Sequence, residues 1–278
     1  MRRYRAAAVL SIAAWVTTPA SHAADGLDFR GAAKPGWTRA ELAAHVRAER
    51  VRVFDPYERS EVELEAFPMN AVLDATFGER WRQRDELLMT CLDGFQPSVP
   101  VQRFLDHRAW LAFRRLDRRT FDLTKHDVTP PAHVDLAPYY LVWSNLDDPR
   151  IRAEGDLGWP YQLVAVELTD FEARFPRLVP PAGASEPARQ GFLAFRSYCS
   201  PCHSVNGDGG RVGPELNYPM NVTQYWQPAM LRRWILDPSS IRSRAAMPSV
   251  APDLPDREAM VDTVIAYLAA MADRKVAP

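Results

Sequence analysis

The sequence predicts two domains: an N-terminal α+β domain over residues 24–178 and a small all-α domain over 188–278, joined by a proline-rich linker at 179–187. Three observations carry this prediction. Before residue 169 the chain passes through short segments rich in β-branched and aromatic residues, several with alternating polarity. From Val179 to Pro187 it has little apolar content and helix breakers near both ends. Beyond that, apolar residues recur at spacings of three and four.

Taken in order, residues 1–23 read as a secretory leader. Arg2, Arg3 and Arg5 supply a positive start, Ala6 to Val16 an apolar stretch, and Ser21-His22-Ala23 a small-residue cleavage signal. The apolar stretch is too short to span a bilayer, which needs about 20 residues. No later run reaches that length, so the cleaved chain is expected to lack a membrane span and to reside in the periplasm.

In the N-terminal domain, strands are predicted at Val51–Phe54, Val62–Phe67, Leu87–Leu92, Trp110–Leu116, Tyr139–Trp143 and Tyr161–Leu168, with short helices at Met69–Phe77 and Val101–His107. In the C-terminal domain, helices are predicted at Pro187–Tyr198, Pro228–Leu236 and Pro255–Ala272. Proline opens each of them, and Asp237-Pro238 stops the second. Along the third, Met260, Val261, Val264, Ile265, Leu268 and Met271 form an apolar stripe.

Apolar residues make up 47% of the chain, as in ordinary globular proteins. Losing the three leader arginines takes the formal net charge from -1 to about -4, which argues against nucleic acid as a partner. The chain has 3 cysteines, Cys91, Cys199 and Cys202, an odd number for a disulfide framework in an oxidising compartment.

Cys199-Ser200-Pro201-Cys202-His203 fits the C-x-x-C-H pattern of covalent haem attachment. Two thiols three positions apart can each form a thioether to a haem vinyl group, and the adjacent histidine then falls beneath the iron. A redox-active dithiol and half of a zinc site are the alternatives. The first is expected beside a βαβ unit and the second needs further Cys or His residues nearby.

The stretch from Ala184 onward resembles the class I c-type cytochromes. Gly191-Phe192, Cys199-x-x-Cys202-His203, Gly207-Asp208-Gly209-Gly210 and Gly213-Pro214-x-Leu216 carry the likeness, followed by Leu231-x-x-Trp234-Ile235-x-Asp237-Pro238 and Met247-Pro248. The resemblance implies an all-α cytochrome c fold and one covalent haem c, with His203 and Met247 on the two faces of its iron. It also implies that the Pro214 carbonyl orients the ring of His203. Met220 and Met230 compete with Met247 for the second axial position. A methionine opposite histidine favours ferrous iron, which points to one-electron transfer with protein redox partners. Trp234 and Tyr267 are expected around the haem or between helices, and Arg232, Arg233, Arg242 and Arg244 on a solvated surface, with steering of an acidic partner as the other reading.

Leu87–Phe95, Pro138–Trp143 and Trp159–Leu168 resemble strands of the molybdopterin-binding fold of the sulfite oxidase family, with no motif of that family beside them. That family's metal-binding cysteine sits on a loop, whereas Cys91 falls within an apolar strand and reads as a buried thiol. A domain that docks a redox partner follows from this. The alternative is an oxidoreductase, or its cytochrome subunit, whose N-terminal domain takes a substrate or cofactor and feeds the haem. His107, His126 and His133 read as separate loop histidines, Asp147 and Asp148 as turn residues, and Trp110, Trp143 and Trp159 as core.

Overall fold

The computed structural model describes residues 25–126, 130–153, 158–251 and 254–278; the expected leader lies outside them. The chain opens with β1 (Gly26–Arg30), β2 (Gly36–Thr38) and α1 (Arg39–His45). Thr38 and Glu41 cap α1 reciprocally, each side chain bonding the other's backbone N–H. Next come β3 (Glu49–Asp55), β4 (Ser60–Pro68), α2 (Met69–Phe77), β5 (Glu86–Cys91), β6 (Ser98–Pro100) and α3 (Val101–Asp106). The region closes with β7 (Ala109–Arg115), β8 (Asp122–Lys125), β9 (Ala132–Asp135), β10 (Tyr140–Trp143), α4 (Pro149–Ala153), β11 (Leu163–Thr169) and α5 (Phe171–Arg174).

These strands form a five-stranded sheet in the order β2-β1-β11-β5-β6 and a four-stranded sheet in the order β10-β7-β4-β3, with β8 and β9 as a separate pair. Each predicted strand is present, within two residues at its ends. Strands β1, β2, β6, β8 and β9 were not expected, because short segments carrying Gly, Pro or charges give little alternation to read.

The helical region contains α6 (Glu186–Tyr198), β12 (Ser204–Val205), β13 (Asp208–Gly209), α7 (Val222–Tyr225), α8 (Pro228–Leu236) and α9 (Arg257–Met271). Ser185 caps α6, its hydroxyl accepting from the Ala188 N–H. Helices α6 and α9 cross at Gly191, where a Cβ would stand 1.8 Å from the Thr263 carbonyl oxygen, so only glycine allows the two backbones to meet. Tyr267 lies against Phe192 and Phe195 at the same crossing and donates its hydroxyl to the Leu178 carbonyl at 2.6 Å.

Two hydrophobic cores result. The first lies between the two sheets and takes Leu87, Met89 and Cys91 from β5, with Phe29, Val53, Leu64, Leu111 and Val166. The second gathers Phe192, Phe195, Leu231, Val264, Tyr267 and Leu268, and also Phe171, Phe175 and Leu178 from the chain before α6. Alternation along β5 sends Leu88, fully buried, into this second core. Trp110, Trp143 and Trp159 are buried in the first.

Candidate functional site

Helix α6 delivers the Cys199–His203 segment. Cys199 caps the helix with its N–H on the Phe195 carbonyl at 2.9 Å, and the N–H groups of Cys202 and His203 both turn back to the Cys199 carbonyl, at 3.0 and 2.8 Å. The segment is therefore one further helical turn. That turn sets two thiols at positions i and i+3 on one side, with the imidazole directly after them.

His203 Nδ1 stands 2.9 Å from the Pro214 carbonyl oxygen. A carbonyl only accepts, so Nδ1 carries the proton and Nε2 keeps its lone pair for a metal. Burial pulls the imidazole below its ordinary pKa, which favours that neutral form. Gly213 makes the approach possible: a Cβ there would lie 2.3 Å from His203 Cε1. Its N–H also bonds the Cys202 carbonyl at 2.8 Å, which closes the loop on the motif.

Burial pushes the Cys199 thiol up to about 12 and the Cys202 thiol up to about 11. A working dithiol needs a depressed thiol pKa, so this environment disfavours that alternative. Among the described residues no three His, Cys, Asp or Glu side chains gather to hold a metal ion, which leaves the thiols without the further ligands of a zinc site. The donor set fits haem c: two protonated thiols on one turn, and a neutral imidazole fixed at Nδ1 with Nε2 available.

Of the three methionines considered, Met220 and Met230 are exposed at 54% and 38%, although Met230 lies within α8. Met247 packs against the second core, as Cys199 does. Trp234 stacks on Trp226 with ring centroids 5.7 Å apart. Arg232 pairs with Glu258 and Asp262, Arg233 bonds Ser240, and Arg242 and Arg244 are exposed.

The N-terminal region reaches the same segment. In the β5–β6 turn, the Gln96 N–H donates to the Pro201 carbonyl at 2.9 Å and the Gly94 carbonyl accepts from the Arg211 N–H at 3.2 Å. Cys91 is buried in the first core and its thiol is pushed far up by burial. The three histidines stay apart: His107 bonds Asp148 at 2.6 Å, His133 pairs with Asp122 at 3.1 Å, and His126 is exposed.

The motif does not announce the polar scaffold behind it. Asn206, Asn217 and Asn221 are all buried, and their amides bond one another in a chain that ends on the carbonyls of Leu268 and Arg274. Glu215 accepts four backbone N–H groups from the loop around it. The density of Asn between Val205 and Val222 is the trace of this scaffold in the sequence.

Residues 186–268 match the family model of cytochrome C oxidase, cbb3-type, subunit III. The match supports a c-type cytochrome domain at the C-terminal end, with the covalent haem and electron transfer that such a domain implies. It begins at the first residue of α6 and leaves the two large sheets outside. A search of curated proteins returned no match to the chain.

Proposed function

We propose that the chain is a single-haem electron carrier working in the periplasm, secreted by its leader, whose sheet-rich N-terminal region docks a redox partner. Cys199 and Cys202 would hold a haem c through thioethers, and His203 and Met247 are the side chains that would bind its iron. When bound, haem supplies one-electron exchange, and the thioether of Met247 favours the ferrous state. The rest falls to the protein. The Pro214 carbonyl fixes the His203 ring and would strengthen it as a ligand, while the second core packs against Cys199.

The observation that carries this reading is the 2.9 Å bond from His203 Nδ1 to Pro214, made one residue after a C-x-x-C turn. Among the described residues no helix is long and apolar enough to cross a membrane.

A second reading makes the N-terminal region an oxidoreductase that feeds the haem directly. The contact between the β5–β6 turn and Pro201 favours it, because that contact brings the sheet region against the attachment turn. One metal and haem inventory, on protein matured in a cell that makes c-type cytochromes, separates the two. One iron per chain, with haem that stays on the protein in acidified organic solvent, supports the carrier. Stoichiometric molybdenum supports the oxidoreductase. Colourless protein, or haem lost to the solvent, refutes both.

A further inference from the structure

Glu215 follows Pro214, the residue whose carbonyl meets His203. Its carboxylate accepts from the N–H groups of Asn206 at 2.7 Å, Gly207 at 3.0 Å, Asn217 at 2.9 Å and Tyr218 at 3.1 Å. Those donors come from both ends of a loop whose own lattice is the two-residue pair β12 and β13, plus one bond from the Leu216 N–H to the Ser204 carbonyl at 2.9 Å. Oε1 takes three of these donors and Oε2 the fourth, and the Ser204 hydroxyl also bonds the carboxylate, so donors face both oxygens, and a glutamine would have to meet one set with its own NH2 donor. Behind it the Asn206–Asn217–Asn221 chain ties the loop to α9 through Leu268 and to the segment after it through Arg274.

We infer that Glu215 is a positioning residue for the redox centre: by closing the 204–218 loop on its carboxylate it holds the Pro214 carbonyl on His203, and it keeps a fixed negative charge near the ring. This rests on the reading that His203 binds haem iron. Both effects act in one direction. A firmly held acceptor at Nδ1 makes the imidazole a stronger donor, and a nearby anion favours the more positive iron state, so both lower the reduction potential.

The test uses the full-length haem-loaded protein with Glu215→Gln, Glu215→Asp and, as a surface-charge control on α9, Glu258→Gln. Glu215→Gln is expected to raise the ferrous to ferric ratio at fixed ambient potential about tenfold, which is about 59 mV for a one-electron couple. Glu215→Asp should fall between it and wild type, and Glu258→Gln should match wild type. An unmoved potential in Glu215→Gln, or an equal shift in Glu258→Gln, overturns the inference.

Hydrogen exchange on the unsubstituted chain gives a readout that needs neither variant nor electron transfer. The amides of Asn206, Gly207, Asn217 and Tyr218 should be protected, and fast exchange there refutes the anchoring role. Wild-type protein without covalent haem would instead remove the reading of the site itself, and the haem inventory reveals that separately.

Discussion

The Glu86 carboxylate of β5 forms an ion pair with the Arg196 guanidinium of α6, joining the sheet region to the helix that ends at Cys199. Glu86 is 3% exposed and also accepts from the Ser98 hydroxyl, while Arg196 lies over the Phe171 ring at 4.2 Å. Glu86 is buried while the Arg196 side chain is 27% exposed, so removing the carboxylate strands a charge that water still reaches in part, at a cost of about 2 kcal/mol, below that of a fully buried pair. Glu86→Gln is therefore expected to lower the urea midpoint with an unchanged slope. A midpoint equal to wild type would mean that the pair contributes nothing to stability.

Met247→Ala is expected to open a coordination position, so that the reduced protein binds carbon monoxide, and to lower the reduction potential. Met220→Ala should change neither, since that side chain is exposed. Carbon monoxide difference spectra and a redox titration of the two variants decide the matter, and the opposite pattern would reassign the ligand.

Gly191→Ala would drive a methyl group onto the Thr263 carbonyl, 1.8 Å away, with Tyr267 Cβ at 2.9 Å. Helices α6 and α9 must then separate, at a cost of about 3 kcal/mol. For a chain of this size that is a fall in melting temperature of about 10 °C, read by circular dichroism. A melting point within a degree or two of wild type would show that the crossing accommodates the added methyl group.

Backbone donors, together with the Ser204 hydroxyl, outweigh burial and hold the Glu215 carboxyl below its ordinary value of 4.5. A carboxylate lowered on folding gives stability that is fully present above its unfolded pKa and is lost as pH falls through the folded one. Denaturant titrations from pH 6 downward should therefore show a stability loss beginning near pH 4.5. Glu215→Gln should start from a lower plateau and fall less steeply over that range. Parallel curves for the two proteins would contradict this assignment.

Much of this molecule could be read in advance, and the exceptions have two causes: elements too short to show a pattern, and contacts with distant parts of the chain. The longer C-terminal helices were legible because apolar spacing and prolines are local signals: Pro228–Leu236 is α8 residue for residue, while α9 starts at Arg257, two residues past the proline expected to open it. The strands with β-rich alternation were legible for the same reason. The attachment turn was written in five consecutive residues, Cys199 to His203. The contacts that stayed hidden depend on partners far along the chain. Glu215 looks like any loop carboxylate until the loop closes on it. Asn206 and Asn221 look like solvated turn residues until the first reaches the Arg274 carbonyl and the second α9. Arg196 gives no hint of Glu86, 110 positions earlier. Helix α1 went unpredicted: it has seven residues and one buried position, too few for an apolar stripe, and its Thr38–Glu41 cap shows only once the helix is known.

Strand β5 hands Leu87 and Met89 to one core and Leu88 to the other. A single ribbon of backbone is thus a shared wall, and neither side can melt without baring residues that its neighbour needs covered. Severing the chain between Leu178 and Ser185 should accordingly give two fragments that stay associated, and heating should dismantle the whole in one cooperative step.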